Sequence, residues 1–364
     1  MEGAKIGTTL NVRKPPRYLG RVGQAIAIEN ATETSVPVVL NTQRGVDIQF
    51  SSQDLALSID DFSDRFIKPA IASIANAIDA DGMAQFTSVY QNVGTPGTVP
   101  NALLTYLNAG VKLSNSAAPL DGERYVVVSP QMQATLVDAL KGLFQAASAI
   151  AEQYRKGEMG ETAGFDFFMD QNVNTFTTGP QGGSPQVNGS NQTGSSLLTK
   201  GWTAAAASRL VVGDTFTIAT TNQVNPQSRQ STGQLQQFVV TANFSSAADG
   251  TGTISISPPI TPSGAFQTTD STPADGSTIT VSGAASTQTP QGLAFHRDWV
   301  TLACADLPLP GGVDMAARVA DRQLGMSIRL VRAYNITTDQ FPCRLDILYG
   351  WAPLRPELAC RVQS

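Results

Sequence analysis

Composition breaks sharply at Gly179 and recovers near Gln291. Between these points residues 180–290 contain no Glu and are crowded with Ser, Thr, Gly, Gln and Asn. A stretch so poor in charge, cut by turn residues, does not build amphipathic helices. Its first part, "GPQGGSPQVNGSNQTGSS", has the composition of a linker. After it, "RLVVGDTFTIA", "QQFVVTANFS", "GTISISPPI" and "STITVSG" alternate apolar and polar residues. They predict a small all-β module, a barrel or a sandwich. On either side of the break the chain reads as mixed α/β. The simplest organisation is one domain interrupted by an inserted one over 180–290. Insertion requires the two ends of the cut to lie close together at the surface.

The flanks change period more than once. Residues 1–57 alternate and are interrupted by Pro15 and Pro16, as exposed or edge strands tolerate. They predict an extended β arm with a turn at Gln43-Arg44-Gly45. Residues 58–92 turn helical. Ser58 and Asp61 form a capping box, and Ile59, Phe62, Phe66, Ala70, Ile74 and Ile78 make one apolar stripe. Pro69 must kink this helix or begin a second one. Its full length would be about 50 Å, the size of a spine. Residues 93–179 and 291–341 supply α/β pieces, including a helix over "NALLTYLNAGVKLSNSA" and a strand "RYVVVSP". There Ser129 caps and Pro130 opens the next helix, "QMQATLVDALKGLFQAASAIAEQYRKG". Residues 342–364 read as a closing hairpin, with Leu345, Ile347 and Tyr349 on one face.

The charged fraction is 15% and the net charge −5. Phosphate neutralisation needs clustered Lys and Arg, so a strongly basic nucleic-acid binder is excluded. The three cysteines, Cys304, Cys343 and Cys360, lack CxxC spacing and read as small apolar residues of a reduced chain. Cys343 and Cys360 would face each other across the terminal hairpin. No apolar run reaches the about 18 residues of a membrane span, and the start has no signal-peptide core.

Little in the chain looks catalytic. The one histidine, His296 in "FHRDW", matches a kinase tripeptide without the glycine-rich loop or Asp-Phe-Gly that belong with it. A strand-edge histidine with a structural hydrogen bond is the better reading. One histidine and scattered cysteines exclude His/Cys metal sites. Asp60, Asp61 and Asp64, with Asp79 and Asp81, are better read as helix-end charge than as a cation site. No Walker loop or GxGxxG is present, and no cofactor is implied. Arg13, Lys14, Arg17 and Arg21 form a modest basic run around Tyr18.

Several stretches together resemble a known family. They are "DIQFSSQDLALSIDDFSDRFIKPAIASIANAID", "GEMGETAGFDFFMDQNVNTFTTG", "GLAFHRDWVTLACADLPLP" and "CRLDILYGWAPLRPE". In order and spacing they resemble tailed-phage major capsid proteins, the podovirus-type coat family with an inserted β-barrel domain. The resemblance implies an α+β, Hong Kong 97-like (HK97-like) capsid fold. Its parts would be an extended loop, a peripheral domain with a long spine helix, an axial domain and an inserted small β-barrel. It also implies self-assembly into hexamers and pentamers of an icosahedral head that encloses double-stranded DNA. Partners would be further copies of the chain, a scaffolding protein, a portal and a cement or decoration protein, with packaged DNA touched non-specifically on the inner face and no membrane. The host cytoplasm would be the place of assembly and the virion the final location. Family members usually carry a helical N-terminal arm ahead of the stretch where this chain begins.

Low charge, long extended segments and absent chemistry suit a non-enzymatic subunit whose surface is largely interface. Arg44 and Asp47, and with them Arg13 and Arg17, are the candidate inter-subunit contacts, since opposite charges on a loop end fix register. Two other readings are a host-encoded, encapsulin-like shell protein and a β-rich carbohydrate or surface-binding protein.

Overall fold

The computed structural model describes residues 7–20, 23–26, 28–30, 33–53, 66–140, 161–321 and 325–364. They divide into two compact units. The first comprises Met1–Lys14, Thr34–Met83 and Val300–Leu354, and the second Pro15–Glu33, Ala84–Trp299 and Arg355–Ser364. The α/β pieces expected to act together over 291–341 are therefore split between Trp299 and Val300.

The first unit is built on the 14-residue strand Gln340–Pro353. The strand Thr42–Ser51 runs antiparallel to it over ten consecutive pairs, from Gln340 opposite Ser51 to Tyr349 opposite Thr42. Val300–Ala305 and the hairpin Met315–Asp321/Met326–Arg332 complete the sheet. Alternation puts Leu345, Ile347 and Tyr349 on one face, where they pack on Ala70, Ile74 and Ile78 of the helix Lys68–Met83. Pro69 is the second residue of that helix and follows a π-helical step at Phe66 and Ile67.

The helix expected to run on to Asn92 ends at Met83. Its 16 described residues span about 24 Å; a 3₁₀ turn Ala84–Ser88 and the strand Asn92–Gly94 follow. Ser58, Ile59, Asp60, Asp61, Phe62 and Asp64 lie outside the described residues. The extended arm is also narrower than expected, because Thr42–Ser51 is an integral strand. Gln43-Arg44-Gly45 lies within it and is not a turn. The ribbon proper is Thr9–Arg13 paired with Ser35–Val39.

The second unit centres on a seven-stranded mixed sheet. Its main path runs Asn92–Gly94, Ala359–Gln363, Gln288–His296, Arg124–Val128, Phe165–Met169, Glu161–Thr162, and Thr175–Thr177 pairs beside Gln288–His296. The helix Leu103–Asn115 covers it with Tyr106, Ala109 and Leu113, all at 0% exposure. Ser129 caps the helix Pro130–Leu140 as expected, its Oγ accepting the Met132 N–H at 3.3 Å. The remainder of that predicted helix lies outside the described residues. Glu161–Thr162 and Phe165–Met169 form a hairpin whose two turn residues, Ala163 and Gly164, have φ of 55° and 76°. Two left-handed residues match the twist of a two-residue hairpin, and glycine adopts that conformation at no steric cost.

Residues 180–290 form a six-stranded sheet in the order Ile279–Val281, Thr215–Val224, Ser231–Val240, Gly252–Ile260, Gly194–Lys200, Gln186–Val187. Its two edges meet. Gln186 bridges Thr278, the Val187 N–H reaches Ser277 O at 2.9 Å, and the Ile279 N–H reaches Pro185 O at 3.0 Å. The ring is filled by Leu197, Trp202, Phe216, Phe238, Ile254 and Ile256. The stretch with linker composition is no linker, since it holds two strands of this ring. Composition misled because turn-forming glycines separate strands only a few residues long, whose apolar members, Val187 and Leu197, are sparse. "RLVVGDTFTIA" likewise yields two strands, Ala207–Leu210 and Thr215–Val224.

The closing hairpin does not exist as such. Gln340–Pro353 belongs to the first unit's sheet, whereas Ala359–Gln363 lies between Gln288–His296 and Asn92–Gly94 in the second. A 3₁₀ turn at Pro356–Leu358 precedes this last strand. Cys343 is opposite Ile48 and Cys360 opposite Ala294, and both thiols are free and buried.

Candidate functional site

The charged face of Thr42–Ser51 carries the two leading candidates. Arg44 forms a forked pair with Asp81, Nη2 lying 2.9 and 3.0 Å from the two carboxylate oxygens. The Tyr349 hydroxyl donates to the same carboxylate at 2.5 Å. Burial, and then Asp81, push that hydroxyl up to about 12, and the Tyr349 and Asp81 contacts raise Arg44. Asp47 faces Arg344 directly in register, Oδ1 to Nε 2.9 Å, with both side chains exposed. Arg44 and Asp47 therefore each have a partner in their own chain and do not pair with one another. Asp47, Ile48, Pro310, Arg329, Cys343 and Arg344 line a groove of about 550 Å³. Its Arg329 is held by a forked, largely buried pair to Asp346, with Nη2–Oδ2 2.6 Å.

Arg13 ends its ribbon strand, exposed and opposite Ser35. Arg17 is bound more closely. Its Nη2 lies 3.2 Å from Glu357 Oε1, and its guanidinium stands 5.8 Å from the Phe266 ring centroid. Arg21 lies outside the described residues. His296 is buried at the end of its strand. Its Nδ1 accepts the Asp298 N–H at 3.3 Å, which leaves Nε2 to donate to Asp121 at 3.2 Å. The Glu123 backbone N–H first, and His296 second, hold the Asp121 carboxyl low. This is the structural histidine that the sequence predicts. Asp81 is taken by Arg44 and Tyr349. Among the described residues no group of three or more His, Cys, Asp or Glu is placed to hold a metal ion. No described helix is long and apolar enough to cross a membrane.

The structure adds a buried cluster where residues 180–290 join the seven-stranded sheet. The Thr178 N–H bonds Thr287 O at 3.0 Å, and Gln288 and Thr289 pair with Thr177 and Phe176, so the chain enters and leaves residues 180–290 side by side through a narrow neck. Asp214 closes this neck, accepting the Gly179 N–H at 3.1 Å and the Val211 N–H at 2.8 Å. Burial pushes its carboxyl up against those bonds. Arg361 is fully buried beside it, donating from Nε to Val89 O and from Nη1 to Gly213 O, both at 2.7 Å. Its guanidinium lies 5.4 Å from the centroid of Phe86 and 6.0 Å from that of Phe176. Sequence reasoning passed over Arg361. The available signal was a lone cation inside the apolar run "LACRV".

A family model described as "P22 coat protein - gene protein 5" matches residues 22–362. The chain belongs to the P22 coat protein family. It is thus a tailed-phage major capsid protein, a structural subunit that self-assembles into the icosahedral shell of the virion. Membership sets aside the host-shell and carbohydrate-binding readings. No curated protein matches the coat subunit. Among solved structures, the capsid of Ralstonia phage GP4 aligns at TM-score 0.50 and 8% identity over 99% of this chain and 84% of that one. The structure of Mycobacterium phage Che8 aligns at 0.49 and 10% over 98% and 85%. The capsid of cyanophage P-SCSP1u aligns at 0.49 and 12% over 99% and 84%. The GP4 likeness is one of fold, and the fold is the mixed α+β, strand-rich capsid fold.

Proposed function

We propose that this coat subunit builds hexamers and pentamers of a phage head that encloses double-stranded DNA. It would assemble in the host cytoplasm with a scaffolding protein, close around a portal, and accept a decoration protein on its outer face. The match over residues 22–362 carries the reading. The HK97-like plan would then distribute as follows. The ribbon around Thr9–Val39 is the extended loop, the helix Lys68–Met83 and the sheet on it are the peripheral domain, and the seven-stranded sheet is the axial domain. The ring over 180–290 is the inserted barrel, supported by its meeting edges and its hydrogen-bonded neck.

Inter-subunit contact falls to Arg44 and Asp47, with Arg13 and Arg17 in support. Exposed Asp47 and Arg344 border the groove, so a neighbour's charge can add to the pair. Exposed ion pairs contribute about 0.2–1 kcal/mol each. The double variant Arg44→Glu, Asp47→Lys should therefore keep its thermal unfolding within a few degrees of wild type. Its yield of closed shells, imaged by negative stain after co-expression with the scaffolding protein, should collapse. Normal shells from the double variant would refute the contact assignment. A chain that remains monomeric under every assembly condition would refute the shell reading itself.

A further inference from the structure

Asn188-Gly189 is the only Asn-Gly step in the chain. Such a step is chemically reactive. Once the glycine amide nitrogen loses its proton it can attack the asparagine Cγ, and glycine has no Cβ to obstruct the approach. A new C–N bond forms, the bond from Cγ to Nδ2 breaks, and ammonia leaves. Water then opens the succinimide ring to aspartate or isoaspartate, so no reactant besides water is needed. Here the step lies in the turn between the strands Gln186–Val187 and Gly194–Lys200, with Asn188 half-buried and Gly189 exposed. Gln192 holds the shape of that turn. Its Nε2 donates to Asn188 O at 2.9 Å and Gly189 O at 3.0 Å, and its Oε1 accepts the Leu198 N–H at 2.6 Å. The attacking nitrogen is itself engaged. The Gly189 N–H donates to Asp275 Oδ1 at 2.8 Å, and the Lys200 ammonium donates to the same oxygen at 2.7 Å. Lys200 first, and the Gly189 N–H second, hold the Asp275 carboxyl low, so it is ionised at neutral pH.

We propose that Asn188 is a latent deamidation site and that Asp275, oriented by Lys200, guards it. Attack requires the Gly189 nitrogen to give up its proton and to turn towards the Asn188 side chain. A carboxylate bonded to that N–H opposes both. It keeps the proton on nitrogen, and it places negative charge beside the amide anion that must form. Asp275 is no candidate for the base that removes the proton, because a carboxylate held below its usual range is far too weak a base for a backbone amide. Gly189 has φ of 95°, and its bond to Asp275 and the Gln192 clamp fix it there. The guard matters for a shell protein, whose subunits are not replaced after closure, so that slow damage accumulates. Isoaspartate would insert a methylene into the backbone next to Gln186–Val187. That strand carries the bonds to Ser277 and Thr278 that join the two edges of its sheet.

Ageing of the purified subunit in mildly alkaline buffer tests this. Deamidation at Asn188 is read by peptide mass spectrometry, with the isoaspartyl peptide separated by chromatography. Folded wild type should stay intact over a period in which the same chain in guanidinium reacts. Asp275→Ala removes the acceptor, and Asp275→Asn keeps an acceptor oxygen without its charge. Each variant should deamidate at Asn188 at least about fivefold faster than folded wild type, because the charge-assisted bond and the opposing charge are both lost. Asp275 is exposed, so both variants should keep the wild-type melting temperature. Folded wild type reacting as fast as the unfolded chain would overturn the proposal without recourse to any variant. Variants that react at the wild-type rate would overturn it as well, and slower variants would make Asp275 a promoter of the reaction. An acceleration that comes only with a lowered melting temperature would also overturn it, since any loosened turn would then expose Asn188 equally.

Discussion

Replacing Arg361 with Met removes a buried cation while nearly keeping its volume. Each of the two 2.7 Å bonds to Val89 O and Gly213 O is charge-assisted, the kind that contributes about 1.5–3 kcal/mol. The rings of Phe86 and Phe176 add about 1 kcal/mol of cation–π attraction. Against this stands the desolvation that pushes the guanidinium down to about 9. Methionine escapes that penalty, yet it leaves two buried carbonyls without donors, and Asp214 loses its neighbouring positive charge. The balance is a net loss of about 3 kcal/mol. For a unit of this size that is about 6–12 °C in Tm, at about 2–4 °C per kcal/mol. Differential scanning calorimetry of the purified subunit should show the second unit's transition shifted down by that amount. An Arg361→Met transition within about 3 °C of wild type would mean that burial and bonding cancel, and that Arg361 does not hold the neck.

Gly179→Ala should destabilise the same neck by about 3 kcal/mol, since a Cβ there would stand 2.5 Å from Arg209 O and 2.8 Å from Asp214 Oδ2. An unchanged urea midpoint would refute that packing. The buried cysteines provide a pH test. Burial raises the Cys360 thiol from 9.0 to about 12, so in the folded subunit it stays protonated where the unfolded thiol ionises. Below pH 9 its contribution to stability is fully present. From pH 9 towards 12 it is lost, because the unfolded state then binds fewer protons than the folded one. Native subunit at pH 8 should accordingly leave Cys343 and Cys360 unmodified by iodoacetamide over hours, with full labelling in guanidinium. Rapid native labelling of Cys360, read by peptide mass spectrometry, would contradict its burial.

Local pattern alone determined a good deal of this protein. Alternation in "GTISIS" predicted a strand at Gly252–Ile260, because a two-residue period suits a sheet with one side buried, and the unbroken apolar run in "RYVVV" predicted a buried strand at Arg124–Val128. Ser129-Pro130 marked a helix start, and the change of composition after Gly179 marked a stretch built of strands. The order of the quoted motifs pointed to its family. Tertiary structure decided which strands meet. Residues 342–364 read as one hairpin because alternation records which face is buried and not against what. Only the folded chain sends Gln340–Pro353 to one sheet and Ala359–Gln363 to another. Sequence marked Arg44 and Asp47 only as opposite charges on an extended segment; the folded chain places both on the strand Thr42–Ser51, where they meet Asp81 and Arg344 of their own chain. The meeting of the edge strands Gln186–Val187 and Ile279–Val281 and the burial of Arg361 likewise depend on groups far apart in sequence. Hydrogen bonds and desolvation act through space, so no window along the chain contains both members of those contacts.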